Sequence, residues 1–420
     1  MKYGLIGEKL SHSFSTHIHH QLFGYEYELK EITLSELPAF LQNRGFCAIN
    51  VTIPYKETVI PYLDVVDEMA QTIGAVNTVV NRDGKLYGYN TDFDGLLCLL
   101  EHNRITVRDK KVLILGSGGT SKTAMAVVRA LGCREAYRVS RTERDECITY
   151  EQSVREHGDA QVLINTTPCG MYPNGGVSAV DLADYPHLDG VVDVVYNPLR
   201  TKLVCDALER GIPAVGGLYM LVAQAARAAE VFVGQSVSRD RVDAIYQNLI
   251  AEKENIVLIG MPTSGKTTVG GHVATMLQRD LIDTDARVVQ EMGCSVPDLF
   301  EQMGENGFRD CEEKAVADVA TQQGVVIATG GGVILRPINV QRLRENGRLY
   351  FLDRSPDLLM ATADRPLFSN HEDLLRRFEE RYPLYTAVCD VRIEADGSTE
   401  MVAKAIREDF LNEYFGDKRT

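Results

Sequence analysis

Val112-Leu-Ile-Leu-Gly116-Ser-Gly118-Gly119-Thr120-Ser121-Lys122 and Ile256-Val-Leu-Ile-Gly260-Met-Pro-Thr263-Ser264-Gly265-Lys266-Thr267-Thr268 share one construction. Each is an apolar run short enough for a buried strand, then a glycine-rich turn, then a segment that continues as a helix. A buried parallel strand feeding a helix through such a turn is the unit of an open α/β sheet, and a sheet of that kind uses the turn once, at its nucleotide site. Two turns therefore predict two nucleotide-binding domains. Further apolar runs at Val162 to Asn165, Val191 to Val195, Val325 to Ala328 and Leu349 to Leu352 alternate with helical-period segments, so the fold class is α/β with parallel strands along the whole chain. The polar stretch Ala251-Glu-Lys-Glu-Asn255, just ahead of the second turn, is the expected linker, too short for a flexible tether.

The two turns meet phosphate differently. In the first, Gly116 permits the tight turn, while Gly118 and Gly119 let the backbone approach a pyrophosphate at the positive end of the helix; Ser121 stands where a third glycine or alanine is usual. The next strand ends Val139-Ser140-Arg141-Thr142, with no carboxylate to accept from a ribose hydroxyl. A cation flanked by hydroxyls suits a 2′-phosphate, which favours NADP over NAD. The second turn has the P-loop spacing Gly-x4-Gly-Lys-Thr. Its amides cradle phosphates, Lys266 reaches the β and γ oxygens, and the Thr267 hydroxyl ligates magnesium. Leu281-Ile-Asp283-Thr-Asp285 then brings two carboxylates near the nucleotide.

Composition limits what else the chain can do. It has 420 residues, 45% hydrophobic and 25% charged, and 44 Lys plus Arg against 59 Asp plus Glu give a net charge of -15. Nucleic-acid binding needs a basic face, so no nucleic-acid partner is expected. The longest uncharged stretch, Gly211 to Ala226, is too short to span a membrane, and the N-terminus enters a strand with no secretory signal. Nine scattered cysteines without a Cys-x-x-Cys pair encode neither a disulfide framework nor a zinc ribbon, which fits a reducing cytoplasm. His17, His19 and His20 have no carboxylate or thiol nearby to complete a metal shell and read as ordinary helix residues. The sequence leaves the oligomeric state open.

Ahead of the first turn, small polar residues recur at loop-like places: His12-Ser13-Phe-Ser15, Asn50-Val-Thr52-Ile-Pro-Tyr-Lys56, Gly74-Ala-Val-Asn77-Thr78 and Asn90-Thr-Asp92. Hydroxyls, amides, one ammonium and one carboxylate suit a polyhydroxylated acid. With Asn165-Thr166-Thr-Pro-Cys-Gly-Met171, Asp193-Val-Val-Tyr196-Asn-Pro-Leu-Arg-Thr201 and Gly217-Leu-Tyr-Met220-Leu-Val-Ala-Gln224, the first roughly 250 residues resemble the shikimate dehydrogenase family. The resemblance implies that Ser13, Ser15, Asn50, Thr52, Asn77, Asp92 and Gln224 bind shikimate with Tyr196 nearby, and that Lys56 and Asp92 are the catalytic pair. It also implies NADP(H) on Gly116, Gly118, Gly119, Thr120, Ser140, Arg141, Thr142, Thr166, Gly217 and Met220.

Beyond the P-loop come Gly307-Phe-Arg309, Ala328-Thr-Gly-Gly331-Gly-Val333, Arg365-Pro-Leu367 and Arg381-Tyr-Pro-Leu-Tyr385. In this order they resemble shikimate kinase, over about residues 254 to 415. That resemblance implies shikimate held by Asp285, Arg309, Gly331 and Arg381, and ATP held by Thr263, Ser264, Gly265, Lys266, Thr267, Thr268 and Arg365. It further implies Mg2+ on Thr267 and Asp283, catalytic roles for Lys266, Asp283 and Arg365, and Asp283 either ordering the metal or accepting the hydroxyl proton. The chain departs from the pattern at Ala361, where family lids carry an arginine.

The two resemblances converge on one metabolite and imply a bifunctional enzyme of aromatic amino-acid biosynthesis. NADPH reduces 3-dehydroshikimate to shikimate, then ATP phosphorylates the 3-hydroxyl. The expected architecture is a substrate lobe over residues 1-100, a Rossmann-type NADP lobe over 101-250 and a P-loop domain, like a nucleoside monophosphate kinase, over 251-420. The alternatives are a metabolite-sensing protein that has kept pockets without turnover, and a dehydrogenase acting on quinate with NAD.

Overall fold

The computed structural model describes residues 1–10, 14–143, 146–359 and 371–416. The strands form three sheets. The first contains β1 (Tyr3–Gly7), β2 (Glu28–Glu31), β3 (Ala48–Val51), β4 (Val65–Val66), β5 (Thr78–Arg82) and β6 (Lys85–Tyr89) in the order β2-β1-β3-β5-β6-β4. The second contains β7 (Lys111–Leu115), β8 (Glu135–Ser140), β9 (Cys147–Thr149), β10 (Val162–Asn165), β11 (Gly190–Asp193) and β12 (Ala214–Val215) in the order β12-β11-β10-β7-β8-β9. The third contains β13 (Asn255–Ile259), β14 (Leu281–Asp283), β15 (Val326–Ala328), β16 (Gly347–Asp353) and β17 (Val391–Glu394) in the order β14-β15-β13-β16-β17.

The second and third sheets are parallel at every pairing. In both, the strand that ends in the glycine-rich turn is central and fully buried, and the strand order reverses beside it. Such a switch point opens a crevice at the carboxyl ends of the strands. The first sheet departs from the all-parallel expectation, because β5 runs antiparallel to both β3 and β6. The cause is local: Asp83 and Gly84 join β5 to β6 with φ of 51° and 81°, the two-residue hairpin turn that positive φ at both central positions allows.

The chain divides into two compact units. One is Met1–Met171, Val177–Asn197 and Asp206–Tyr246; the other is Tyr172–Gly176, Pro198–Cys205 and Gln247–Thr420. The expected linker at Ala251 to Asn255 is not an irregular segment. The helix Arg239–Lys253 runs to its end, β13 starts at Asn255, and Glu254 between them is buried with its carboxylate on Arg200 (2.8 Å). Asn255 is buried as well, accepting from Val325 N–H and donating to the Gln322 carbonyl. Polar composition signalled a linker, but Glu254 and Asn255 are buried because each is paired.

In the second unit β13 and β16 alternate their faces. Val257, Ile259, Leu349 and Phe351 pack with residues of the helices Val296–Val319, Pro337–Asn346 and His371–Val388, while Ile256, Leu258, Tyr350 and Leu352 pack with those of Lys266–Leu277 and Thr399–Phe415. In the first unit the helices Thr91–His102 and Leu218–Val233 lie against each other. Among the described residues no helix is long and apolar enough to cross a membrane.

Two features of the first unit lead to predictions. Gly217 heads the helix Leu218–Val233, and a methyl group there would lie 2.0 Å from the Val194 carbonyl oxygen, which is backbone and cannot step aside. Gly217→Ala should therefore cost about 1–3 kcal/mol of overpacking, read as a lower melting temperature. His19 is buried, stacked on Tyr27 at 4.0 Å between ring centroids, with Nδ1 2.6 Å from the Tyr25 hydroxyl. Burial lowers its pKa to about 3, so the folded imidazole stays neutral. An unfolded chain protonates it below about pH 6.5, so stability is present above that pH and is lost as pH falls toward 3. Between pH 6.5 and pH 5 this amounts to about 2 kcal/mol. Denaturant titrations at pH 7 and pH 5 should show a smaller difference for His19→Gln than for the wild type; an equal difference rules the account out.

Candidate active sites

In the first unit the scattered polar fragments meet. Asn50 donates to the Thr78 hydroxyl (3.0 Å) and accepts from the buried Tyr27 hydroxyl (2.7 Å). Asn77 accepts from Thr91 N–H (2.7 Å), and its amide lies 3.5 Å from the Gln224 side-chain oxygen. Asn90 caps the helix Thr91–His102 by accepting from Phe93 N–H, which fixes Asp92 in the first turn, where the helix dipole favours a carboxylate. Lys56 Nζ donates to Asp92 Oδ2 at 2.6 Å and lies 3.4 Å from the Thr120 hydroxyl. Thr120 is in the first turn of the helix Gly119–Ala130, so the ammonium stands between the polar cluster and the head of the first glycine-rich turn.

Other predicted residues frame this centre. Ser15 is buried in the first turn of the helix Ser15–Phe23, Thr52 is half-buried beside Gly7, and the Tyr196 ring packs on Phe14 at 5.4 Å. Ser13 lies outside the described residues. At the turn, Gly116 N–H donates to the Val139 carbonyl and the Thr166 hydroxyl to Leu115, while Gly119 passes close to Lys56 and Ala75. Ser121 is buried and donates to the Gly118 carbonyl, which explains a serine in place of a third glycine. Ser140 bonds to the Thr142 carbonyl, and Arg141 is exposed at the end of β8, next to the turn strand β7. Gly217 and Met220 sit at the head of the helix Leu218–Val233, where Gly217 N–H donates to Val195. Tyr27, which orients Asn50, was not foreseen, because a lone tyrosine carries no motif.

In the second unit Lys266 is buried, and its ammonium donates to the carbonyls of Gly260 (2.9 Å) and Met261 (2.7 Å). It also lies 3.5 Å from the buried Ser264 hydroxyl, while Thr263 has a φ of 64° in the loop and Thr268 is exposed beyond it. Gly265 precedes the helix Lys266–Leu277 with φ of 90°. The Thr267 hydroxyl donates to Asp283 Oδ2 at 2.6 Å, and Asp283 Oδ1 caps the helix Thr284–Met292. Two hard oxygens held together at the phosphate loop fit magnesium.

Around Gly330 to Gly332 the side chains predicted to hold the substrate converge. Arg309 lies against Gly332 and donates to Glu312 (2.8 Å); Arg381 donates to the Gly331 carbonyl (3.0 Å). Asp285 and Glu312 both approach Gly330, where a methyl group would come 2.3 Å and 2.7 Å from their carboxylates. Burial raises the Glu312 pKa against the pull of Arg309, and burial lowers that of Arg381. Glu312 was missed by sequence reasoning; its only trace is the i, i+3 spacing from Arg309. Arg365 and Ala361 lie outside the described residues.

The site chemistry agrees with similarity to known proteins. The shikimate dehydrogenase substrate binding domain matches residues 5–79, and shikimate kinase matches residues 262–410. An NADP(+) shikimate dehydrogenase of Clostridium beijerinckii is 39% identical over 247 residues, covering 55% of this chain and 91% of that protein. Shikimate dehydrogenase 1 from Peptoclostridium difficile superposes with a TM-score of 0.55 at 36% identity, over 59% of this chain and 98% of its own. The shikimate 5-dehydrogenase of Thermus thermophilus, solved with NADP(H) and shikimate, gives 0.54 at 28%, over 59% and 99%. Over its N-terminal part the chain therefore belongs to the shikimate dehydrogenase family, and a shikimate kinase domain follows on the same polypeptide.

Proposed function

We propose that this bifunctional enzyme reduces 3-dehydroshikimate to shikimate with NADPH at its first centre and phosphorylates shikimate from ATP at its second. The observation that carries the reading is that each glycine-rich turn has its own reactive pair: Lys56 with Asp92 beside Thr120, and Thr267 with Asp283 beside Lys266. Dependence on NADPH and ATP, together with cysteines kept as free thiols, supports a cytoplasmic enzyme of small-molecule substrates.

At the first centre, bound NADPH supplies the hydride. Negative charge then develops on the substrate carbonyl oxygen, and Lys56 gives it a proton while Asp92 holds the ammonium in line. Ser13, Ser15, Asn50, Thr52, Asn77 and Gln224 present hydroxyls and amides to the substrate's own hydroxyls and carboxylate, with Tyr196 at the rim. Gly116, Gly118, Gly119 and Thr120 offer backbone donors to the pyrophosphate, and Arg141 with Ser140 and Thr142 answers the 2′-phosphate. Thr166, Gly217 and Met220 complete the cofactor surface.

At the second centre, Lys266 leaves the Gly260 and Met261 carbonyls for phosphate oxygens. Thr267 and Asp283 would hold Mg2+, which would supply positive charge to the phosphates. Asp285, Arg309, Gly331 and Arg381 fix shikimate, with the guanidinium groups matched to its carboxylate, and Arg365 reaches the transferring phosphate. Catalysis here is mostly positioning and charge stabilisation.

Separate machinery predicts separable loss. Lys56→Ala should lower dehydrogenase kcat by about 10²–10⁴ and leave shikimate-dependent ATP consumption intact. Lys266→Ala should do the reverse, with a loss of at least about 10² in kinase turnover. A coupled assay following NADPH and ADP in one sample checks both, and a single variant that removes both activities would refute the assignment.

A further inference from the structure

Tyr385 is fully buried, and its ring stacks on Phe351 at 5.1 Å and 11°, so the ring cannot swing. Its hydroxyl oxygen lies 2.9 Å from the Gly260 carbonyl of the P-loop and 2.5 Å from the Gly331 carbonyl of the substrate loop. A phenol has one proton and here faces two acceptors. Burial raises its pKa, so the proton stays on the oxygen. Each carbonyl also has a second donor: Lys266 on Gly260, and Arg381 on Gly331. The result is a continuous run from Lys266 through Gly260, Tyr385 and Gly331 to Arg381, joining the ammonium assigned to ATP with a guanidinium assigned to shikimate.

We propose that Tyr385 is a positioning residue that couples nucleotide and shikimate binding through the direction of its single hydroxyl proton. This rests on the kinase reading of the second unit. Without nucleotide, Lys266 satisfies Gly260 and the phenol donates to Gly331. When phosphate draws Lys266 away, the Gly260 carbonyl loses a donor inside the core, where an unpaired carbonyl is unfavourable. The hydroxyl proton then turns to Gly260 and leaves Gly331 to Arg381, which fixes that guanidinium toward the substrate. The element has two discrete arrangements and both ligands bias it, as coupling requires.

Coupling is reciprocal, so it can be read from the nucleotide side, which avoids the second shikimate site on the dehydrogenase. The full chain is titrated with Mg2+ and a non-hydrolysable ATP analogue, with and without saturating shikimate. Wild type is expected to bind the analogue at least about fivefold more tightly with shikimate present, the lower end of ordinary coupling, whereas Tyr385→Phe brings the ratio to within about twofold of one. While no nucleotide is bound the variant keeps Lys266 on Gly260 and Arg381 on Gly331, so it should fold. Once phosphate draws Lys266 away, the variant's Gly260 carbonyl is left unpaired, so it should bind the analogue alone at least about fivefold more weakly than wild type. A wild-type ratio of one, an undiminished ratio in Tyr385→Phe, or wild-type affinity of the variant for the analogue alone each overturns the proposal. Should wild type consume no ATP with shikimate, it is the kinase reading that fails.

Discussion

A chain with a net charge of -15 that handles a dinucleotide, a triphosphate and a carboxylic acid cannot attract them with its overall field. Every anion must be met by local donors, and the fold is arranged around that constraint. β7 and β13 are central and buried, and each delivers a glycine-rich turn to a helix head at the strand-order switch of its sheet. Backbone amides and the helix dipole supply the positive end without net charge. Side-chain cations are then few and individually placed: Lys56, Lys266, Arg309 and Arg381 are each tied to a named partner in the structure.

What the sequence made legible follows from how local its causes are. β10 runs Val162–Asn165 as read, and the P-loop and its Asp283 partner come together because short-range turn and capping chemistry positions them. The polar fragments of the first unit were recognisable as a set, yet their meeting depends on contacts such as Asn77 to Gln224, far apart in the chain. The antiparallel β5–β6 hairpin escaped a reading based on apolar runs, although Asp83-Gly84 encodes it. Glu312 and Tyr385 escaped for a different reason. Their significance is burial among charged and carbonyl groups from other elements, and no single-sequence pattern reports that.

On the proposed function the two centres share a ligand, and their side-chain chemistry differs. The first gathers amides and hydroxyls, those of Asn50, Asn77, Thr91 and Gln224, around a single ammonium, Lys56. The second sets two buried guanidinium groups, Arg309 and Arg381, against Glu312 and Asp285. The two reactions make different demands. A hydride transfer needs one placed proton donor, while a phosphoryl transfer concentrates negative charge and needs several cations.

The partners of the two lysines carry the contrast further. Lys56 is anchored by a carboxylate at 2.6 Å, a charge-assisted bond that resists displacement. Lys266 is held by the neutral carbonyls of Gly260 and Met261. Dipoles hold an ammonium less firmly than an anion does, so an arriving triphosphate can draw it off. On the proposed mechanism the same side chain is thus a fixed proton donor in one domain and a transferable phosphate ligand in the other, with a carboxylate fastening the first and the Gly260 and Met261 carbonyls cradling the second.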